Sequence, residues 1–254
     1  MSKPRTVLIT GASSGIGRAL AIEYGARGAH VALVARREAE LAAVADAIGA
    51  RGGRATSIVC DVGDGAAAFD AVKRADATLG GLDMVIANAG LGSGGHASTL
   101  KWEETARLID VNVKGAFATL CAAIPVFLAQ QRGHLVGVSS LAGKRGLPTT
   151  GAYSASKAAL STFLETLRVD LRAAGIRVTD VQPGFVATNI NASGNRGQPM
   201  LWTAEKAARV IANRLERAPA VVAFPWPLVL ATSFSRILPA WLYDRLVGGS
   251  GRPQ

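Results

Sequence analysis

Short β-branched apolar runs alternate along the chain with longer runs in which apolar residues recur at helical spacing. This strand–helix alternation predicts a parallel sheet that is covered by helices on both faces. The predicted strands are 6–10, 30–36, 54–62, 82–90, 134–140, 176–184 and a last one within 220–225. The predicted helices are 16–28, 38–50, 65–79, 102–130, a run around Tyr153 that extends to about Leu171, and 203–218.

The order of these elements predicts one open, doubly wound α/β domain. No linker-like segment and no repeat of fixed period divides the 254 residues, so the domain is expected to cover 1–254. Residues from about 190 to 254 are expected to form a substrate-binding lid and an apolar C-terminal extension. The helix 102–130 is expected to be interrupted near Gly115 and near Pro125.

The composition fits a chain that buries a large core, because 49% of the residues are hydrophobic and 18% are charged. The formal net charge is +10, but the Lys and Arg are scattered and not gathered in a stripe with aromatics. This distribution argues against a nucleic-acid interface. A basic solvated surface is favoured, and a phosphorylated ligand or an anionic membrane stays open.

The cysteines and the apolar runs predict a cytoplasmic protein. Cys60 and Cys121 are the two cysteines, and they make no framework of paired cysteines. The N-terminus lacks the ~7–15-residue apolar region of a secretory signal. No continuous apolar run reaches the ~18 residues of a membrane span, so none is expected.

A glycine-rich turn, "TGASSGIG" at 10–17, lies between the first predicted strand and the first predicted helix. Gly11 allows a tight turn, Gly15 allows the backbone to approach a pyrophosphate, and Gly17 allows the helix to pack closely on the sheet. The amides at the start of that helix would face the anion. The position and the glycines together predict a dinucleotide-binding turn.

The spacing of these glycines resembles the first motif of the short-chain dehydrogenase/reductase family. Further segments resemble motifs of that family in the same order, from residue 6 to about 190. They are Asp61 in "CDV", "ANAG" at 87–90, Asn112 in "DVNVKG", "VSS" at 138–140, "YSASK" at 153–157 and "PGFVAT" at 183–188. Two positions depart from the pattern: Ala87 replaces the usual Asn, and Gly137 replaces a residue that is often polar.

The resemblance implies a Rossmann-like fold, a nicotinamide dinucleotide cofactor and a homodimer or homotetramer. It also implies a set of residues that bind the cofactor. These are Gly11, Ser13, Ser14, Gly15, Ile16, Gly17, Arg36, Arg37, Asp61, Val62, Asn88, Ala89, Gly90, Tyr153, Lys157, Pro183, Gly184, Val186 and Thr188.

The end of the second strand predicts which dinucleotide is preferred. An acid at this point grips the ribose diol of NAD, but this chain has Arg36 and Arg37 and no acid at the tip. A guanidinium can hold a 2′-phosphate through charge-assisted hydrogen bonds. We therefore expect NADP(H), with NAD(H) as the alternative. Arg36 is the first candidate contact and Arg37 the second, with Ser13 assisting.

Tyr153 and Lys157 lie four positions apart in a helical run, so they share one face. A nearby ammonium lowers the pKa of a phenol and brings it closer to neutral pH. By the family's pattern, Tyr153 is the acid in reduction and the base in oxidation, and Lys157 also binds the nicotinamide ribose. Ser140 donates to the substrate oxygen, and Asn112 helps to hold a water that links Lys157 to solvent.

No metal is expected, because His30, His96 and His134 lack the spacing of metal ligands.

The resemblance and the Tyr153–Lys157 pair together predict the reduction of a ketone or aldehyde, or the reverse oxidation, by hydride transfer. The alternatives are an NAD-dependent alcohol dehydrogenase and a non-catalytic, nucleotide-sensing protein of the same fold.

The C-terminal quarter carries the predictions about the substrate. The segment 191–200 is expected to be a mobile lid. The apolar tail 226–246 has two interpretations. In the first it closes the substrate pocket or packs on a subunit, and in the second it lies on a membrane surface, so that the protein is peripherally membrane-associated. Both interpretations favour a hydrophobic substrate, such as a keto lipid, a steroid-like compound or a bulky ketone.

Overall fold

The computed structural model describes residues 4–92, 95–188 and 200–247, which form a parallel seven-stranded sheet with helices on both faces. The strands are β1 Thr6–Thr10, β2 His30–Ala35, β3 Arg54–Val59, β4 Met84–Ala87, β5 Gly133–Val138, β6 Ile176–Pro183 and β7 Val221–Phe224. Their order across the sheet is β3-β2-β1-β4-β5-β6-β7. Strand order reverses between β1 and β4, so a crevice opens above the carboxyl ends of those two strands.

Nine α-helices lie in the described part of the chain. They are α1 Gly15–Ala26, α2 Glu38–Gly49, α3 Gly65–Leu79, α4 Trp102–Ile109, α5 Ala116–Gln130, α6 Gly151–Asp170, α7 Ala204–Leu215, α8 Trp226–Ile237 and α9 Ala240–Val247. A π-helical turn, Asp110–Gly115, joins α4 to α5. The predicted α/β fold with a doubly wound sheet is confirmed.

Two hydrophobic cores sandwich the sheet, and the alternation of side chains along each strand divides them. In β1, Val7 and Ile9 join the core formed with α1, α2 and α7. Leu8, which lies between them, joins the core formed with α3, α5 and α6. Because successive side chains of a strand point to opposite faces, an apolar strand such as β1 feeds both cores.

The helix predicted over 102–130 shows one confirmed and one wrong feature. The interruption near Gly115 is the π-helical turn, but α5 continues through Pro125 without a break. A proline leaves the carbonyl four residues earlier without its helical donor. That residue is Cys121, which is exposed, so water can take the place of the missing donor.

The helical run Trp102–Gln130 is long and apolar enough to cross a bilayer, with a mean hydropathy of 1.7 over its most apolar window. Half of that window is buried inside the protein. Leu120, Ala123 and Phe127 contribute to the second core and are fully buried. The run therefore has the packing of a core helix.

His134 is the second residue of β5 and is completely buried. Its Nε2 lies 2.9 Å from the Thr179 hydroxyl, and its Nδ1 has no hydrogen-bond partner among the described residues. Burial, with a smaller effect from the charge of Arg177, lowers the pKa of His134 to about 3. The folded protein thus keeps this imidazole neutral where an unfolded chain protonates it.

Acid is therefore expected to destabilise the fold through His134. As the pH falls below about 6.5, the unfolded state takes up a proton that the native state refuses. The free energy of unfolding then falls by up to about 1.4 kcal/mol per pH unit. The free energy of unfolding, measured with urea between pH 6.5 and 5, should therefore depend less steeply on pH in His134→Gln than in the wild-type protein. The same pH dependence in both proteins would contradict the expectation.

Candidate active site

A cavity of about 460 Å³ opens at the carboxyl edge of the sheet. All of the residues predicted to bind cofactor or to take part in catalysis line this cavity, except Gly17 and Asn112. The reason is topological, because the motifs directly follow the ends of parallel strands, and those ends share one edge of the sheet. The structure thus brings together segments that are up to 177 positions apart, from Gly11 to Thr188.

The turn after β1 needs its glycines for two separate reasons. Gly11 has φ +68° and Gly15 has φ +55°, which are left-handed conformations that favour glycine. At Gly17 the reason is close packing, because a Cβ there would lie 2.3 Å from the Gly11 carbonyl oxygen. The turn leads directly into α1, which begins at Gly15, so the first backbone amides of that helix point toward the cavity.

Thr10 ties the glycine turn to the end of β4, and sequence reasoning did not identify it. Its hydroxyl accepts hydrogen bonds from the amides of Asn88 at 3.0 Å and Ala89 at 3.1 Å. In return, the Asn88 side chain donates to the Thr10 carbonyl at 2.9 Å. These bonds hold the segment 88–90 beside the turn. A threonine at the end of a strand was the only sequence signal for this link.

Arg37 and Arg36 both line the end of the cavity near β2, but they have different partners. Arg37 Nη2 donates to the Ser13 hydroxyl at 3.0 Å. Arg36 Nη1 lies 3.9 Å from Asp61 Oδ2. The guanidinium that contacts Ser13 on the glycine turn is thus that of Arg37, the second candidate. Both side chains are about half exposed and can reach a ligand.

Asp61 has a stronger partner in Arg107 of α4, which donates to it at 2.6 Å. Burial alone would raise the pKa of Asp61, but hydrogen bonds from the Gly63 amide and from Arg107 hold that pKa below its ordinary value. The carboxylate therefore stays ionised beside the cavity. Arg107 was missed because it is 46 residues from Asp61, and no local pattern links the two positions.

Ser140, Tyr153 and Lys157 lie around the inner end of the cavity. Ser140 caps a short 3₁₀ turn, Leu141–Gly143, and its hydroxyl accepts from the Ala142 amide at 3.1 Å. Tyr153 lies in the first turn of α6, and Lys157 follows one turn later. The predicted shared face of this pair is confirmed, since the Lys157 Nζ lies 5.8 Å from the centre of the Tyr153 ring.

The electrostatics of this pair differ from the sequence prediction. Burial raises the pKa of Tyr153, and a hydrogen bond with Ser140 partly opposes that rise. Burial also lowers the pKa of Lys157 to about 8, and the charge of Asp180 partly opposes that fall. The Lys157 amine donates to the Val138 carbonyl at 2.9 Å, away from the phenol. In this geometry the ammonium does not bring the phenol toward neutral pH.

Asp180 on β6 lies behind these groups and was also missed. Its Oδ1 accepts from the Ser139 hydroxyl at 2.5 Å, and its Oδ2 accepts from the Gln182 side chain at 2.6 Å. These bonds hold a buried carboxylate near Lys157. Ser139 therefore contacts Asp180, while the next residue, Ser140, hydrogen-bonds with Tyr153.

Asn112 lies in the π-helical turn and is fully buried behind the cavity wall. Its Oδ1 accepts from the Leu91 amide at 2.7 Å, and its Nδ2 donates to the Leu91 carbonyl and to the Ser156 hydroxyl. A Cβ on Gly90 would lie 3.4 Å from Asn112 Oδ1 and 3.3 Å from Lys157 Nζ. Asn112 and the Lys157 amine therefore lie close together beside Gly90.

The segment after β6 lines the opposite wall through Pro183, Gly184, Val186 and Thr188. A Cβ on Gly184 would lie 3.0 Å from Leu228, so α8 packs directly behind this wall. The predicted lid at 191–200 lies outside the described residues except for Met200.

The unusual Gly137 now has a structural explanation. A Cβ at this position of β5 would lie 2.4 Å from a methyl carbon of Leu164 on α6. The absence of a side chain lets α6, which carries Tyr153 and Lys157, approach the sheet closely. The residue thus acts on helix packing, and the need for glycine comes from a contact 27 positions away.

The site carries no group of three or more His, Cys, Asp or Glu side chains suited to a metal, as far as the described residues go. The arrangement instead combines a helix start for a pyrophosphate with a phenol, a hydroxyl and an amine at one end. Such a set can bind a dinucleotide and transfer a proton next to it.

Comparison with known proteins identifies relatives of this chain. The sequence profile of the short chain dehydrogenase family matches residues 5–199. An oxidoreductase from Myxococcus xanthus is 46% identical over 240 residues, which cover 94% of this chain and 95% of that protein.

Solved structures of the same kind superpose on the fold. A short chain dehydrogenase/reductase from Burkholderia phymatum, in complex with NAD, is 25% identical with a TM-score of 0.84, covering 99% of this chain and 97% of its own. An alcohol dehydrogenase from Thermococcus sibiricus, complexed with 5-hydroxy-NADP, is 26% identical with a TM-score of 0.78, covering 87% and 94%.

Proposed function

Because this chain belongs to the short-chain dehydrogenase/reductase family and is thereby an NAD(P)-dependent oxidoreductase, we propose that it interconverts a hydrophobic ketone or aldehyde and the corresponding alcohol. We propose NADP(H) as its preferred cofactor. The observation that carries the proposal is the meeting of Ser140, Tyr153 and Lys157 in one cavity with the glycine turn. Those residue types supply a hydrogen-bond donor, a proton donor and a cation.

The described residues fit a nicotinamide dinucleotide. The positive φ angles at Gly11 and Gly15 and the crowding at Gly17 leave a backbone cradle at the start of α1, where side chains would intrude. The amides there suit a pyrophosphate. Arg37, Ser13 and Arg36 suit a phosphate on the ribose at the other end. A bound nicotinamide donates or accepts the hydride.

Within this proposal, Tyr153 gives a proton to the carbonyl oxygen during reduction and takes it back during oxidation. Its raised pKa keeps the phenol protonated at neutral pH, which favours its role as the acid. The Ser140 hydroxyl donates to the same oxygen as negative charge develops on it. Lys157 binds the ribose hydroxyls of the cofactor, and Asn112, beside it, helps to position the water that reaches its amine.

The support for NADP(H) is electrostatic. Arg36 and Arg37 follow directly after β2, where a site for NAD would carry an acid, and both are about half exposed. Their acidic partners are also exposed to solvent: Glu40 lies 3.2 Å from Arg37, and Asp61 lies 3.9 Å from Arg36. Asp61 is held more closely by Arg107, at 2.6 Å. The remaining cofactor contacts that we propose, from Asp61 to Thr188, line the same cavity.

The support for a hydrophobic substrate comes from the C-terminal region. We propose residues from about 190 to 254 as a substrate-binding lid followed by an apolar C-terminal extension of a single domain, and α8 packs behind Gly184 at the cavity wall. A homodimer or homotetramer in the cytoplasm is proposed as well. Cys60 and Cys121 are both free thiols, which suits a reducing compartment.

A screen of ketones, aldehydes and alcohols tests the function directly. The full chain is mixed with NADPH or NADH, or with the oxidised forms, and nicotinamide absorbance is followed. Faster reduction of bulky apolar ketones with NADPH supports the proposal. Turnover of alcohols with NAD alone would favour an NAD-dependent alcohol dehydrogenase. Nucleotide binding without turnover of any compound would favour a nucleotide-sensing protein.

The lowered pKa of Lys157 predicts that the rate of reduction falls at alkaline pH. If the ammonium is needed, kcat/KM for reduction falls about tenfold per pH unit once the pH exceeds about 8, because the amine is then neutral. Lys157→Arg keeps its charge, so any activity that it retains should not fall in this pH range. A wild-type profile that stays flat to pH 10 would remove Lys157 from the proposed mechanism.

A further inference from the structure

Helices α8 and α9 present large apolar side chains to solvent. Six of them are more than 60% exposed, which is unusual for so short a segment. We name this set the α8–α9 apolar face; it consists of Trp226, Leu230, Phe234, Ile237, Trp241 and Leu246.

Four of these residues form a single stripe along α8. Trp226, Leu230, Phe234 and Ile237 follow one another at intervals of four, four and three positions, so they lie on one side of the helix. The opposite side of α8, which includes Leu228, faces the protein. The stripe is therefore an outward-facing apolar surface with a definite direction.

Polar contacts hold this pair of helices to the rest of the protein. The Tyr243 hydroxyl donates to the Gly146 carbonyl at 2.6 Å, and Arg145 stacks on the Tyr243 ring at 3.9 Å. Arg145 also donates to the Leu238 carbonyl at 2.8 Å. These polar contacts tie α9 and the junction between α8 and α9 to the protein, while the largest apolar side chains of both helices face outward. An ordinary water-exposed helix turns such side chains inward.

Basic side chains border the apolar face. Arg236 and Arg245 are exposed on the same two helices, and the Lys144 amine donates to the Ser233 hydroxyl at 2.8 Å on the side next to Arg236. Arg236 and Lys144 are close enough that each charge opposes the other. Asp244 is the one acid on α8 and α9, and the whole chain carries a formal charge of +10.

We propose that the α8–α9 apolar face binds the surface of an anionic lipid bilayer. Tryptophan and phenylalanine with flanking arginines are the side chains of interfacial helices, since the rings enter the headgroup boundary and the cations meet lipid phosphates. A second copy of the chain fits less well. A two-fold interface sets a surface against itself, so the basic border would meet its own charge.

Membrane binding through this face deepens the proposed function, on which the following step rests. Leu228 packs behind Gly184 at the cavity wall, and Lys144 follows the turn that begins at Ser140. The helices that would contact the lipid are therefore close to the end of the cavity where Ser140, Tyr153 and Lys157 lie. A carbonyl compound dissolved in the bilayer is then the class of substrate that this placement serves.

Vesicle flotation with the full chain tests the binding. Protein is mixed with vesicles of phosphatidylcholine alone or with a third of phosphatidylglycerol. We expect co-flotation with the anionic vesicles, weaker with neutral ones and reduced by salt. The double variant Leu230→Glu and Phe234→Glu should lower the bound fraction at least about tenfold. Ala42→Glu with Ala43→Glu adds the same charge on the exposed side of α2 and should change binding much less.

Several results would overturn the proposal. They are an absence of co-flotation of the wild-type protein, equal loss of binding in both double variants, and a wild-type dimer that the α8 variant converts to a monomer without any vesicle binding. The last would assign the face to a second copy.

Turnover separates this inference from the proposed function. Both double variants should keep the wild-type rate on a water-soluble ketone, and only the α8 variant should show a higher KM for a vesicle-borne ketone. If no ketone is turned over but the protein still floats with anionic vesicles, the proposed reaction is rejected and the proposed membrane binding is kept. Equal KM values for the vesicle-borne ketone would reject the delivery step.

Discussion

Tyr153→Phe is expected to lower kcat for carbonyl reduction by about a thousandfold. General acid catalysis by a positioned side chain contributes about 10²–10⁴ in rate, and this variant removes the proton donor while keeping the ring. Tyr153 lines the cavity, and the hydrogen bond between its hydroxyl and Ser140 is lost with the donor. Steady-state kinetics on the best ketone of the screen, with NADPH saturating, provide the measurement.

A second tyrosine makes a matched control for this variant. Tyr24 on α1 is buried, and its hydroxyl has no hydrogen-bond partner among the described residues. Tyr24→Phe therefore removes the same atom from another position and should leave kcat unchanged. Binding of NADPH, followed by fluorescence titration, should change less than about threefold in either variant, because Tyr153→Phe keeps the ring that lines the cavity and Tyr24 does not line it.

The two kinetic parameters distinguish a chemical role from a structural one. Loss of a proton donor lowers kcat and kcat/KM together. A Tyr153→Phe variant that keeps kcat and raises only KM would mean that the phenol positions substrate and does not transfer a proton. Loss of rate in the Tyr24 variant as well would point to general damage and would leave no case for Tyr153.

The features that could be predicted from the sequence are local. The glycine turn at 10–17 and the spacing of Tyr153 and Lys157 depend on a few neighbouring residues, so a linear pattern contains them. The alternation of strands and helices then places the ends of β1, β4 and β5 at one edge. The sequence alone was therefore enough to collect 19 of the 26 residues that line the cavity.

The features that could not be predicted depend on distant contacts. Arg107 meets Asp61 across 46 positions, and the need for Gly137 comes from Leu164 on another element. The pKa of Tyr153 was wrongly expected to fall, because helical spacing shows that Lys157 shares a face but not where its amine points. Burial, which a linear pattern does not measure, dominates both pKa values.

The arginines at the tip of β2 should decide the choice of cofactor. Replacing both, as Arg36→Ala with Arg37→Ala, is expected to raise KM for NADPH about a hundredfold and to change KM for NADH little. Each charge-assisted hydrogen bond to the ribose phosphate contributes roughly 1.5–3 kcal/mol, and NADH lacks that phosphate. Arg51→Ala removes an exposed charge outside the cavity and should affect neither cofactor.

The single variants test the order that the geometry favours. Arg37 is hydrogen-bonded to Ser13 on the glycine turn, whereas Arg36 lies beside Asp61, which already has Arg107 as a partner. Arg37→Ala should therefore raise KM for NADPH more than Arg36→Ala, by about tenfold or more. A larger effect of Arg36→Ala would restore the order expected from the sequence. If neither single variant nor the double one distinguishes the two cofactors, both arginines belong to the solvated surface, and the preference for NADP(H) has no physical basis in this site.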